Sequence, residues 1–276
     1  LLDFADLTVD GSIATGAAVS VMLIRAGVSP IATLPIAFLA GALAGMVTGL
    51  LNTALGIPGI LASILTQISL YSINLNIMGK ANQPVSVDNY PLVVSLRYVT
   101  DGSVSRLLFF LGMIVFLLAL IAVMYWYFGT EQGHAIRATG CNSNMARAQG
   151  INTNFIKVLA LMISNGLVGL CGALYGQFQG ASDVNMGRGA IVIGLAAVII
   201  GEVLFGKFAS KRKLAFAFTL ASVILGAVIY YMVYQFVLWL KMPSEDMKLF
   251  SAIVVAIFLA IPYLKEKRTL RKGASK

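Results

Sequence analysis

Eight apolar runs, each long enough to cross about 30 Å of hydrocarbon as a helix, take up most of this chain and constrain its fold more than any other feature. They lie near residues 12–28, 31–53, 56–79, 106–128, 155–178, 189–206, 214–240 and 247–264. Strands of an outer-membrane barrel would alternate polar and apolar residues, and these runs do not, so the spans are helices. With 59% of 276 residues hydrophobic, 11% charged and a mean hydropathy of +0.88, no soluble core could hide the apolar surface. Disorder is excluded on the same ground. The two cysteines, Cys141 and Cys171, have no CxxC or Cys/His spacing, which excludes a disulfide scaffold and suggests no metal site. The expected architecture is all-α: a polytopic membrane helix bundle forming one transmembrane domain over residues 1–276. The opening Leu1, Leu2 and Asp3 follow no initiator methionine and make a strange free terminus for a span, so a further hydrophobic helix upstream of Leu1 is expected.

Loop charge orients the bundle. The connection 129–154, the link after Gly206 and the tail 265–276 alternate with the remaining loops and carry 12 basic residues against seven on the other side. The positive-inside rule places the first set, and with it the C-terminus, in the cytoplasm. The net charge of +9 reflects this bias and implies a lipid environment, not a nucleic-acid partner. Trp126 and Trp239 fall at the ends of their spans, as an interfacial aromatic belt requires.

A transport path needs polar atoms inside the spans. Asp6, Thr8, Asp10 and Ser12 crowd the entrance to the first run, read either as a solvated acidic loop or as a broken helix lining a path at membrane depth. Residues 48–53 contribute Asn52, the third run carries Gln67 and Asn74 among seven polar residues, and the fifth carries Asn165. Any one of these could simply hydrogen-bond a neighbouring helix. Gln67 and Asn74, seven residues apart, share one helical face and are the strongest path candidates. Glu202, the one acid inside the apolar runs, lies four residues before Gly206 and reads as a side chain reaching the interface. Gly41, Gly45 and Gly49, with Gly172 and Gly176, form small-residue rows that let helices approach closely.

Chemistry motifs fail. Gly201, Gly206 and Lys207 nearly spell a phosphate-binding loop but lack the closing Ser or Thr and the strand-to-helix turn. There is no serine-nucleophile elbow and no zinc-binding HExxH pair, and the sole histidine, His134, has no evident partner. The chain is therefore not expected to be an enzyme or to hold a cofactor, and its energy must come from a gradient or another subunit.

The 129–154 connection carries the sharpest signal. Asn142 suits a helix start, Ser143 to Gln149 fit two short turns, and Gly150 suits the residue beyond the helix end. Such a capped knob, exposing Met145 and Ile151, is rigid enough to dock into a partner. Arg137, Ala138, Gly140, Asn142, Ala146, Arg147, Gly150 and Ile151 resemble the coupling loop of ABC importer permeases of the branched-chain amino-acid and simple-sugar superfamily. Residues 6–12 are similar to that family's DLSVG segment with Asp10 intruding, and 196–202 to its AAVVIGG stretch with Glu202 in place of the second glycine. The opening resembles most the permeases paired with tryptophan- or tyrosine-type binding proteins.

The resemblance implies a homodimer in the cell's plasma or inner membrane with one translocation path at its interface. It further implies cytoplasmic ABC ATPase subunits, holding ATP and Mg, docked on the 137–152 knob, and an extracytoplasmic solute-binding protein on the outer face. The implied cargo is a small solute, an amino acid of aromatic type, with a sugar or nucleoside permease as the alternative. An ion-coupled secondary transporter would show ionisable groups near the midplane and broken helices in both halves.

Overall fold

The computed structural model describes residues 4–86, 90, 92–95, 106–209 and 215–239, and isolated positions 253, 256 and 260. Apart from those three positions, the expected eighth span and the basic tail lie outside the described residues.

Helices dominate: α1 (Val9–Arg25), α2 (Pro30–Thr53), α3 (Gly59–Met78), α4 (Arg106–Phe128), α5 (Glu131–Cys141), α6 (Ser143–Ala148), α7 (Thr153–Gln179), α8 (Ala190–Ala209) and α9 (Ala215–Trp239). Two three-residue strands, β1 (Asn82–Pro84) and β2 (Ala181–Asp183), pair antiparallel with Gln83 opposite Ser182. Among the described residues five helices are long and apolar enough to cross a membrane: Pro30–Thr53, Gly59–Met78, Phe109–Phe128, Thr153–Gln179 and Phe216–Gln235. The expectation of eight spans is thus met only in part. The 17 residues of α1 rise about 26 Å, short of the hydrocarbon thickness. Their composition is small and polar because α1 is enclosed by protein: Gly11, Ser12, Ala14, Thr15, Gly16, Ala17, Ala18 and Ser20 are all buried.

The chain divides into two compact units. The first comprises Leu1–Ala119 and Trp126–Arg188 and is built on α7, against which α1 and α2 lie. The glycine rows explain the closeness. A Cβ at Gly41 would stand 2.2 Å from the Asn165 carbonyl oxygen, one at Gly45 2.2 Å from that of Leu161, and one at Gly172 2.1 Å from that of Ile13. Only glycine lets these backbones touch. At one end of the unit the β1–β2 ribbon ties the end of α3 to the end of α7, above a cluster of Val21, Ile24, Val85 and Leu92. Nothing local in the sequence marks this ribbon, whose strands are three residues each.

The second unit comprises Leu120–Tyr125 and Gly189–Lys276, and its α8 and α9 pack together. Gly201 and Gly226 sit at their contact, where added Cβ atoms would lie 2.4 Å from the Ser222 and 2.1 Å from the Ala197 carbonyl oxygen. Ala196, Ile200 and Tyr230 form its core. Glu202 lies on the exposed side of α8.

Candidate functional site

The first unit holds a buried polar network at the start of α1. The Asp6 carboxylate accepts the Thr8 backbone N–H at 2.9 Å and the Asn165 side-chain amide at 2.7 Å. The Asn165 amide oxygen in turn accepts the Ser12 hydroxyl at 2.6 Å. The Thr8 and Thr48 hydroxyls share a hydrogen bond of 2.8 Å, and Thr48 donates to Thr66 at 2.9 Å. Thr8, Ser12, Thr48 and Asn165 are fully buried. Asn165 comes 12 residues after the first residue of α7, about 18 Å along a helix of about 40 Å, so α1 begins near the middle of α7. The segment is therefore not a wholly solvated loop: Thr8 and Ser12 are buried, and Asp6 is held by Asn165.

Beside that start lies a cavity of about 300 Å³. Its walls come from the first turn of α1 (Asp10, Gly11), one face of α3 (Gln67, Ile68, Tyr71, Ser72, Asn74) and the turn after β2 (Val184, Asn185, Arg188). Tyr71 and Asn74 follow Gln67 by four and seven residues, which puts the three on one face of α3. Asn74 is wholly buried, and both polar atoms of its side chain lack a hydrogen-bond partner among the described residues. The turn is fixed from both sides. The Asp183 carboxylate accepts the Asn185 N–H at 2.7 Å, and Gly187 presses so closely on α1 that a Cβ there would lie 1.9 Å from the Asp10 carbonyl oxygen. The cavity thus offers an acid, a base, amides and a hydroxyl beside the apolar surfaces of Ile68, Val184 and the Tyr71 ring, a lining suited to a small solute with charged and apolar parts.

Of the residues read from the sequence as path candidates, Asp10, Gln67 and Asn74 line this cavity. Asp6, Thr8, Ser12 and Asn165 form the buried network next to it. Asn52 lies at the end of α2 and donates its side-chain amide to the Ile57 carbonyl at 2.8 Å, closing the turn into α3. Sequence reasoning missed Tyr71, Asn185 and Arg188. Tyr71 could have been found from its spacing to Gln67, whereas no local signal brings the turn after β2 to α1.

The 129–154 connection forms two helices where one short helix was expected. Thr130 caps α5, accepting from the Gly133 N–H at 3.5 Å, and Gly133 lets the helix fold back on Phe128. The Asn142 side chain caps α6 by accepting from the Asn144 and Met145 N–H groups at 3.1 and 3.0 Å. Gly150 has φ +83°, and the Ile151 N–H reaches the Ala146 carbonyl at 3.1 Å, closing the far end. Arg137 donates to the Phe128 carbonyl, and Arg147 to the Thr153 hydroxyl at 3.2 Å. Ala138 is exposed and Gly140 half-buried. Met145 is 63% exposed, but Ala146 is only 4% exposed. Ala146 is thus enclosed, and its backbone is held by the Asn142 carbonyl on one side and the Ile151 N–H on the other.

These features define a transport-type membrane protein: helices long and apolar enough to span, a cavity of mixed polar and apolar lining beside the buried start of α1, and a capped loop that exposes Met145. The chain belongs to the family of branched-chain amino-acid transport system permease components, which it matches over residues 2–262. It is a multi-pass inner-membrane protein of the ABC permease class. It is 39% identical over 260 residues to a tyrosine transport system permease protein of Clostridioides difficile (strain R20291), covering 94% of this chain and 82% of the relative. It is 26% identical to the inner membrane ABC transporter permease protein YjfF of Escherichia coli (strain K12), over 72% of this chain and 59% of the relative. With the autoinducer 2 import system permease protein LsrC of Yersinia pseudotuberculosis (serotype O:3, strain YPIII) the identity is 28%, over 85% and 62%. No solved structure matches the chain.

Proposed function

We propose that this chain is the membrane subunit of an ATP-driven importer for an amino acid, with an aromatic amino acid such as tyrosine as its cargo. The observation that carries the reading is the cavity, where Asp10 and Arg188 set opposite charges among amides and the Tyr71 ring. A zwitterion with a ring side chain has the complementary groups, whereas a neutral sugar brings no charge to either. The tyrosine transport permease among its relatives supports the same choice.

ATPase and solute-binding partners are general to this permease class. In this reading two copies of the chain form the path, and each receives an ATPase, with ATP and Mg, on α5 and α6. A binding protein delivers the solute at the opposite face, and the C-terminus lies in the cytoplasm. Closure of the ATPase pair moves the two loops. The helix α7 starts at Thr153, directly after the loop closes at Gly150 and Ile151, and it carries that motion to Asn165 and the start of α1.

The test is uptake by proteoliposomes holding permease, ATPase and binding protein. Labelled tyrosine is expected to accumulate, and a variant with Gln67→Leu and Asn74→Leu should lose at least about tenfold in rate, since two hydrogen-bonding groups go. Accumulation of a neutral sugar but no amino acid would reject the cargo.

A further inference from the structure

Arg188 stands apart from the other polar groups of the cavity. Its side chain is exposed and makes no hydrogen bond or ion pair among the described residues, yet it sits on a turn held at both ends. The Asp183 carboxylate holds the Asn185 N–H, and the Arg188 N–H reaches the Asn185 carbonyl at 3.0 Å. The bare Cα of Gly187 seats the turn against the Asp10 carbonyl. The turn fixes where the side chain starts, and the planar guanidinium fork, whose donors match both oxygens of a carboxylate, offsets the rotamer freedom given up on pairing. Asp10, at the start of α1 where Gly187 is seated, belongs to the same lining.

We propose that Arg188 is the carboxylate-receiving residue of the path, selecting solutes that bear a free carboxylate over the corresponding carboxamides. The proposal rests on the amino-acid reading above, and it assigns the discrimination to one side chain. Asn185, beside Arg188 on the same turn, adds an amide to the same rim.

The experiment is equilibrium binding of labelled L-tyrosine to the purified permease–ATPase complex without binding protein, so that only the path discriminates. L-tyrosinamide, which lacks the carboxylate, is the competitor. The native complex is expected to prefer tyrosine by about tenfold or more, the value of one charge-assisted contact. Arg188→Gln should remove that preference by weakening tyrosine binding without weakening that of tyrosinamide, a cation that Arg188 does not attract, and Arg188→Lys should restore part of it. Lys80→Gln, a charge removed from outside the cavity, should change neither. If Arg188→Gln keeps the native preference, the role of Arg188 is rejected while the amino-acid reading stands. If the native complex binds both compounds equally, Arg188 is again rejected. If it binds neither but binds a neutral sugar, the amino-acid reading fails and the proposal with it. Size-exclusion elution of each variant with its ATPase shows that it is folded, and Arg188→Lys carries the test should the glutamine variant not assemble.

Discussion

Two buried asparagines show how the same residue type serves opposite ends. Asn165 is satisfied on both sides, donating to Asp6 and to the Leu161 carbonyl and accepting from Ser12, so it holds the start of α1 against α7. Asn74 is buried to the same extent, and neither polar atom of its side chain has a partner among the described residues. A buried group left unpaired costs about 1–3 kcal/mol, so its removal should have the opposite sign to removal of a satisfied one. Asn165→Leu is expected to lower stability by about 1–3 kcal/mol, read as a fall in Tm of the detergent-solubilised protein. Asn74→Leu should leave Tm unchanged or raised while uptake falls. Equal losses of Tm for both would show that Asn74 is structural. Both asparagines were legible as polar residues in apolar runs, but their roles were not. Sequence spacing puts Gln67 and Asn74 on one face, and it cannot say that Ser12 and Asp6 lie where Asn165 needs them, across more than 150 residues of chain.

The helices repeat this pattern. Glycine rows at four-residue spacing signalled close packing, and α2 and α1 do meet α7 there, backbone to backbone. Gly45→Ala should cost about 1–3 kcal/mol, because its added Cβ would meet the Leu161 carbonyl, which is main chain and cannot swing away. At Gly176 an added Cβ approaches nothing closer than the Ala17 methyl at 3.1 Å. Gly176→Ala should therefore stay within about 1 kcal/mol, since alanine also favours the helix. Chemical denaturation of the two variants compares them directly, and equal losses would contradict the packing account. Caps were legible where one residue decides them, as with Asn142 and Gly150 at the ends of α6. The helix α5 was not, because Gly133 and Gly140 interrupt a polar segment whose buried stripe is only Gly133, Ile136 and Thr139. The β1–β2 ribbon was equally hidden: strands of three residues carry no alternation, and their partners lie about a hundred residues apart. The first run, read as residues 12–28, corresponds to α1 at Val9–Arg25, and its small residues serve a helix walled in by protein, where lipid-facing apolarity is not needed.

At the scale of the whole molecule, α7 runs from the end of the 129–154 loop to the buried network beside the cavity, all within the first unit. The loop's surface fixes which substitution tests docking. Ala146→Trp would distort α6 itself, since Ala146 is already enclosed, whereas Met145 stands out and can be changed without touching the fold. Met145→Glu is therefore expected to leave Tm and elution volume of the permease unchanged and to lower ATPase co-purification by at least about tenfold, as loss of a buried apolar anchor does at an interface. The measurement that bears most directly on the central claim is the energy source of uptake. Proteoliposomes holding the permease, its ATPase and the binding protein should accumulate labelled tyrosine only with ATP inside, with no imposed ion gradient, and the Met145→Glu complex should not. Accumulation driven by a proton or sodium gradient through the permease alone, without ATPase or ATP, would contradict the account.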